Sequence, residues 1–129
     1  MKNQRTLVLL KADAFQARVW YKVIRIFKDQ GLKISGVRFF HPDRSLMEKL
    51  YAVHRNKPFF ELLIQHMVSG LQMALCLEGP GAIEKARETC FRIRKDYSSR
   101  TNLSANVVHS SDSSKSARRE LKLFFGNTH

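Results

Sequence analysis

Cysteine, proline and long apolar runs are scarce in this chain, which has two cysteines and three prolines among 129 residues. Two thiols, Cys76 and Cys90, cannot build a disulfide framework, and their spacing fits no metal site, so we interpret both as reduced core residues. The apolar run near the start covers only residues 6–10, whereas a transmembrane helix needs about 20 residues. Lys11 and Asp13 also interrupt any signal-peptide core. We therefore expect a cytoplasmic protein with no membrane contact.

Acidic residues are also scarce, and the imbalance predicts a class of ligand. Eleven Asp and Glu face 23 Lys and Arg, which gives a net charge of +12. Such a charge raises the local concentration of polyanions, including nucleotides and nucleic acid. Hydrophobic residues nevertheless make up 43% of the chain, enough for a folded core. The length fits one domain, residues 1–129.

Hydrophobic periodicity predicts strands that alternate with helices. The apolar runs 5–10, 32–40, 71–77 and 106–109 suit strands, with Gly36 marking a bulge in the second. Helical spacing covers 15–27, 46–54, 60–68, 83–91 and 117–125, the last preceded by N-cap serines. Residues 78–81 are typical of a turn and residues 92–105 of a polar loop. This order predicts an α/β or α+β sandwich with helices over one face of the sheet.

His109 has the most suggestive setting for chemistry, at the end of an apolar strand. Glu120 is predicted on the border of the buried face of the last helix, where a carboxylate can reach and orient the imidazole. A neutral imidazole can act as a nucleophile and split one transfer into two easier steps. Lys11, Arg87 and Arg94 lie at the ends of predicted elements, where three cations would suit a triphosphate. Judged alone, such a histidine is usually structural, and such lysine and arginine side chains are usually solvated.

Several segments of the chain resemble one enzyme family. Residues 5–14 (RTLVLLKADA) look like the opening strand of the nucleoside diphosphate kinases, with Ala12 where that family usually has proline. Residues 106–113 (NVVHSSDS), 116–120 (SARRE) and 124–125 (FF) are similar to its active-site signature, with Ser110 in place of the usual glycine. The motifs YAVH at 51–54, KPFF at 57–60 and MVSG at 67–70 follow in family order. The resemblance spans nearly the whole chain.

The resemblance implies both a fold and a reaction. The fold would be a ferredoxin-like βαββαβ sandwich of the α+β class, with a four-stranded antiparallel sheet covered by helices. The reaction would move the γ-phosphate of a nucleoside triphosphate to a nucleoside diphosphate by a ping-pong mechanism, maintaining nucleotide pools. His109 would be the phosphorylated nucleophile, and Glu120 and Ser111 would orient it. Lys11 would reach the transferred phosphate and the sugar, and Tyr51 would sit beside the phosphate.

The same resemblance implies how ATP and other nucleotides bind. His54, Arg87 and Arg94 would hold the remaining phosphates and Asn106 the sugar. Phe59 would stack on the base with Leu63 nearby, and since every base has a π-face, broad base specificity is expected. Mg²⁺ would arrive on the nucleotide phosphates, with Asp112 as the single candidate carboxylate, because no acidic cluster has metal-ligand spacing.

One segment departs from the family pattern. Only six residues separate Arg87 from Arg94, where the family carries a much longer loop that commonly builds the threefold contact of hexamers. A homo-oligomer built from dimers is expected, and the loss of the loop weakens the expectation of a hexamer. The match of Arg94 rests on residues 93–97 (IRKDY), so Arg92 or Arg100 are alternatives for the phosphate contact.

Two other functions compete with the kinase. The charge of +12, together with aromatic residues near basic ones, would suit nucleic acid as a secondary or alternative partner. These aromatics are Phe39, Phe40, Phe59 and Phe60, and helix and strand faces account for them better as core residues. A family member that has lost activity with its loop is the second alternative, against which the intact His109 and Glu120 argue.

Overall fold

Four strands form one antiparallel sheet in the order β2-β3-β1-β4. The computed structural model describes residues 2–11, 20–68, 70–97 and 108–126, and the side chains of all of these except 66, 96 and 97. The strands are β1 (Asn3–Leu10), β2 (Lys33–Phe40), β3 (Gln72–Pro80) and β4 (Val108–Ser110). The central strand β1 pairs antiparallel with β3 on one side and with β4 on the other. The bulge predicted at Gly36 is confirmed, because the β2–β3 register shifts between Ile34 and Gly36.

Five helices connect and flank these strands in the described part of the chain: α1 (Trp20–Asp29), α2 (Arg44–Leu50), α3 (Phe60–Met67), α4 (Ala82–Tyr97) and α5 (Ser114–Phe125). A short 3-10 turn, Ala52–His54, lies between α2 and α3. Side-chain caps explain two of the starts, since Asp43 accepts from the Leu46 amide and Ser113 accepts from the Ser116 amide. The predicted start of the first helix, residues 15–19, lies outside the described residues.

Helices cover both faces of the sheet. Alternate residues of β1 point to opposite sides: Val8 and Leu10 pack with α1 and α4, whereas Leu7 and Leu9 pack with α2, α3 and α5. All four of these side chains are fully buried. The expectation of helices over only one face was therefore wrong, because an all-apolar central strand needs cover on both sides.

Two predicted boundaries also need correction. Residues 78–80 continue β3 and pair with Arg5, Gln4 and Asn3, so only Gly81 remains of the predicted turn. The polar segment expected to be a loop from Arg92 begins as helix, since α4 continues to Tyr97. Ile93 explains the extension: it is 2% exposed and continues the apolar stripe of the helix. The rest of that predicted loop, residues 98–105, is outside the described part.

The topology matches the ferredoxin-like α+β arrangement. The order of elements contains the expected βαββαβ succession, with α2 and α3 inserted between β2 and β3 and with α5 added after β4. Across the described ranges, no helix combines the length and apolar character that crossing a membrane requires. The free thiols of Cys76 and Cys90 are both buried, as predicted. The sheet brings the ends of β1 and β4 side by side, which sets the position of the candidate site.

Candidate active site

His109 and Glu120 meet at the end of the sheet. His109 lies in the middle of β4, paired with Leu9, and its side chain is 15% exposed. Glu120 lies on the inner side of α5, and its Oε1 is 3.1 Å from Nε2 of His109. Ser111 Oγ donates a hydrogen bond of 2.9 Å to the same oxygen. The predicted contact between the carboxylate and the imidazole is present, and because Glu120 engages Nε2, Nδ1 is the ring nitrogen that this carboxylate does not occupy.

Tyr51 packs edge-on against His109. It follows α2, and its ring centroid is 5.7 Å from that of the imidazole with planes at 79°. Burial, reinforced by the negative charge of Glu120, raises the pKa of Tyr51 far above its usual range, although the Arg94 charge acts in the opposite direction. The phenol therefore stays protonated at physiological pH, and its hydroxyl is a hydrogen-bond donor.

A row of rings leads away from His109 toward solvent. Tyr51 is followed by His54, with ring centroids 6.4 Å apart, and His54 by Phe59, at 5.7 Å. Phe59 is 47% exposed, whereas Leu63, one turn further along, is 8% exposed and belongs to the core. The Leu63 amide donates to the Phe59 carbonyl at 2.9 Å. The backbone of Phe59 is thus held at the start of α3, while its ring is exposed.

The predicted phosphate-binding arginines lie on one face of α4, not at the ends of a loop. Arg87 and Arg94 are separated by two helical turns. They line an open cavity of about 740 Å³, together with Arg92, Ser110 and Asp112. Arg94 Nε also donates to the Val108 carbonyl at 3.3 Å, which ties the helix to β4 next to His109. The cavity therefore combines three guanidinium groups with three carboxylates, those of Glu84, Glu88 and Asp112, beside the strand that carries the imidazole.

Lys11 directly follows β1 and is only 5% exposed. Burial raises the pKa of Cys90 to about 11, despite the lowering effects of a hydrogen bond with Ser110 and of the charges of Arg94 and Lys11. Cys90 is thus a neutral thiol in the core.

Comparison with known proteins identifies the family to which this set of residues belongs. The family model described as nucleoside diphosphate kinase matches residues 4–129. The chain belongs to the nucleoside diphosphate kinase family.

The relatives are similar to this chain over nearly their full length. A nucleoside diphosphate kinase from Anaeromyxobacter sp. (strain Fw109-5) is 38% identical, with 99% of this chain and 93% of the relative covered. One from Staphylothermus marinus is 40% identical, with 97% and 94% covered. A crystal form of the Aquifex aeolicus nucleoside diphosphate kinase has a TM-score of 0.85 at 30% identity and covers 98% of this chain and 97% of that one. The protein is thus a nucleoside diphosphate kinase, a phosphotransferase that acts on nucleotides.

Arg119 makes contacts at the candidate site that the sequence did not predict. Arg119 donates to the carbonyls of Lys49 at 2.9 Å and Leu50 at 3.3 Å, at the end of α2. It also lies 3.6 Å from Oε2 of Glu120. Arg119 therefore joins the helix that carries Glu120 to the residues just before Tyr51. No local pattern signals these contacts, because they join positions about seventy residues apart.

The four phenylalanines considered for nucleic-acid binding divide into two pairs. Phe40 and Phe60 are buried core residues of the kinase, as expected, but Phe39 and Phe59 are 57% and 47% exposed. Strand alternation explains Phe39, which points away from the core that holds Phe40. Asn106 and Arg100, predicted to contact the sugar and, alternatively, phosphate, lie outside the described residues.

Proposed function

We propose that His109 is the residue phosphorylated during transfer and that Nδ1 is the attacking atom. The observation that carries this proposal is the hydrogen bond between Nε2 of His109 and Oε1 of Glu120. A ring nitrogen that donates to a carboxylate holds the proton, so the lone pair is on the other nitrogen. Ser111, which donates to the same carboxylate oxygen, supports the alignment.

The reaction consists of two matched steps. Nδ1 attacks the γ-phosphorus, a nitrogen–phosphorus bond forms, and the bond from that phosphorus to the β–γ bridging oxygen breaks, which releases the diphosphate. A second diphosphate then attacks the phosphohistidine through its terminal oxygen and restores the free imidazole. Glu120 stabilises the positive charge that the ring acquires while it carries the phosphoryl group.

Buried and half-buried polar groups around His109 would offset the charge on the transferring group. In this proposal Lys11 reaches the transferred phosphate and the sugar, and the protonated hydroxyl of Tyr51 donates to the phosphate. Arg87, Arg94 and His54 hold the remaining phosphates. The guanidinium groups that line the cavity next to β4 support these roles, since phosphoryl transfer depends mainly on positioning and on cations near the phosphates.

The base would stack on Phe59, with Asn106 at the sugar. The exposed ring, one helical turn before the buried Leu63, is the feature that supports this placement. Stacking on a flat ring does not distinguish bases by hydrogen bonding, so broad base specificity is expected, and with it a role in maintaining nucleotide pools.

Mg²⁺ would enter with the nucleotide. Within the described ranges, no group of three or more His, Cys, Asp or Glu side chains is placed to hold a metal ion. Asp112 is exposed beside the arginines, with Glu84 and Glu88 in the lining of the same cavity, and Mg²⁺ typically combines one or two carboxylates with phosphates and water. This donor set fits a metal shared with the substrate, which would neutralise charge on the β- and γ-phosphates.

The proposal is tested by labelling the protein with γ-labelled ATP and Mg²⁺ and isolating it. We expect an acid-labile phosphoprotein that GDP or dTDP discharges, and no labelling of His109→Ala. His54→Ala serves as the comparison, since it should weaken nucleotide binding but still accept label. Label that persists in His109→Ala, with the fold intact by circular dichroism, would show that another residue is the nucleophile.

We also propose that the enzyme assembles from dimers through the outer edge of β2. In the described chain this strand pairs only with β3, and it exposes Val37 and Phe39 by 52% and 57%. An apolar edge strand normally finds a partner. Sedimentation should give a mass above that of one chain, and Phe39→Glu should shift it toward the monomer. A monomeric wild-type protein would contradict this arrangement. Whether the assembly reaches a hexamer, and whether the enzyme is cytoplasmic, remain predictions.

A further inference from the structure

A second cavity, of about 510 Å³, lies between the start of β1 and the outer side of α5. Four cationic side chains line it, and none of its lining residues is acidic: the cations are Lys2, Arg5, Arg118 and Lys122. It shares no residue with the arginine-lined cavity beside His109. The cavity is therefore a separate concentration of positive charge.

Most of this charge is not neutralised within the protein. Arg5 pairs with Glu78 at 3.0 Å, but Lys2, Arg118 and Lys122 form no ion pair with any residue in the described part of the chain. Arg118 and Lys122 are four residues apart on one helix, where like charges destabilise the helix slightly. Lys115 extends the same stripe by one turn. An anion bound here would relieve this repulsion.

The cationic stripe and the catalytic carboxylate are on opposite sides of α5. Each residue turns an α-helix by about 100°, so Arg118 and Lys122 each lie roughly 200° around the axis from Glu120. Glu120 is 4% exposed and faces His109, while both cations are exposed. A ligand in this cavity would leave the phosphotransfer site accessible.

The lining of the cavity favours phosphate over nucleobase. No aromatic side chain is present for stacking, and the amide oxygen of Gln4 is already bonded to the Ile83 backbone at 3.1 Å. Phosphate contacts position a nucleic acid without reading its sequence. A concave, open cavity suits a flexible single strand, which can bend into it, better than a stiff duplex.

We propose that this cavity, defined by Lys2, Arg5, Arg118 and Lys122, binds the phosphodiester backbone of single-stranded nucleic acid without sequence preference. The site is independent of phosphohistidine formation, and it accounts for part of the net charge of +12 that nucleotide transfer does not require. Phosphates two or more nucleotides apart would contact the cations of α5 and of β1 at the same time.

The test is fluorescence anisotropy with a labelled oligothymidylate of about 20 nucleotides, titrated at salt concentrations from about 50 to 200 mM. The variant is Arg118→Gln/Lys122→Gln. The matched control is Arg25→Gln/Lys28→Gln, which removes one Arg and one Lys from exposed positions of α1. Each lost phosphate contact lowers the slope of log affinity against log salt by about 0.7 for a single strand, so the variant should lose about 1.4 and the control almost nothing.

Three results would overturn the proposal. The first is equal weakening in the variant and the control, which would mean diffuse attraction to the whole charged surface. The second is displacement of the strand by tripolyphosphate at equal phosphate concentration, which would assign the cavity to a small anion. The third is failure of the wild-type protein to bind the oligonucleotide at about 50 mM salt. Oligouridylate should bind as well as oligothymidylate, and a clear preference would contradict readout of the backbone alone.

The kinase reaction provides the internal control. All four proteins, including His109→Ala as the fourth, are assayed for labelling by ATP and for strand binding. We expect the two charge variants to keep normal phosphotransfer and His109→Ala to keep normal strand binding. Labelling that persists in His109→Ala would count against the proposed nucleophile alone. Undiminished strand binding by Arg118→Gln/Lys122→Gln would count against the cavity alone.

Discussion

At His109, a single hydrogen bond decides which ring nitrogen is available. The contact with Glu120 was predictable, because a histidine on an apolar strand can meet a carboxylate on the border of a buried helix face when that helix packs on that strand. The structure places His109 in the middle of β4 and not at its end. The second donor to the carboxylate, Ser111, was implied by the family resemblance. Ser111 Oγ also accepts a hydrogen bond from the Leu7 amide at 3.4 Å. This contact depends on how β4 pairs with β1, so no local sequence pattern predicts it.

Replacing the carboxylate tests this alignment. Glu120→Gln keeps the size of the side chain but loses the charge, and a hydrogen bond to a charged group contributes roughly 1.5–3 kcal/mol. We expect phosphorylation of His109 to slow by roughly 10- to 100-fold in rapid-quench labelling. Ser111→Ala, which retains the carboxylate, should have a smaller effect. Unchanged labelling by Glu120→Gln would exclude a role for its charge.

At the scale of elements, the boundaries that the sequence misplaced are those decided by distant partners. Residues 78–80 contain Gly and Pro and read as a turn, yet they pair with residues 3–5 at the far end of the chain. Gly79 lies close to the connection between α1 and β2, since a Cβ at position 79 would lie 3.2 Å from the Gly31 carbonyl oxygen. Only the folded arrangement of β1 and β3 contains this information.

Arg119 joins two elements of the active site, and its removal should affect both. Arg119→Gln loses the bonds to the Lys49 and Leu50 carbonyls, so Tyr51 and Glu120 are held less firmly relative to each other. We expect labelling to slow by about 10-fold, equivalent to about 1.4 kcal/mol. The neighbouring Arg118→Gln makes the same change of charge on the solvent side and should label normally. Equal labelling rates in the two variants would show that the hydrogen bonds of Arg119 to α2 do not affect the reaction.

The start of α5 depends on its cap. Ser113→Ala removes the acceptor for the Ser116 amide, which lies 3.1 Å from Ser113 Oγ. N-cap losses of this kind cost about 1 kcal/mol, and urea unfolding should show a decrease of that size. Ser116→Ala keeps the backbone amide and should be nearly neutral. If both variants lose the same stability, the cap is not the cause.

At the scale of the whole molecule, the α+β class and the antiparallel sheet were predictable, but not which helix covers which face of the sheet. The apolar run at 6–10 indicated burial on both sides of one strand. Assigning each helix to a face requires the crossover geometry, which periodicity does not contain. The positions of Asn106 and of residues 98–105 stay untested.

Burial of Cys90 couples global stability to alkaline pH. Its pKa is raised from 9.0 to about 11 in the folded protein, so the unfolded chain ionises first. The contribution to stability is complete below about pH 9 and is lost as the pH rises toward 11, by roughly 2–3 kcal/mol. Urea unfolding from pH 8 to about 11 should show a flatter decline for Cys90→Ala than for wild type. Parallel curves would contradict this coupling.

The central position of β1 has a consequence for how the molecule opens. Because this strand pairs on both edges and supplies side chains to both cores, neither half of the protein can detach while the other stays folded. Its amide protons at residues 7–10 should therefore exchange with solvent only through complete unfolding. Lys11 follows directly, so the lysine proposed to reach the transferred phosphate is attached to the backbone that we expect to exchange most slowly.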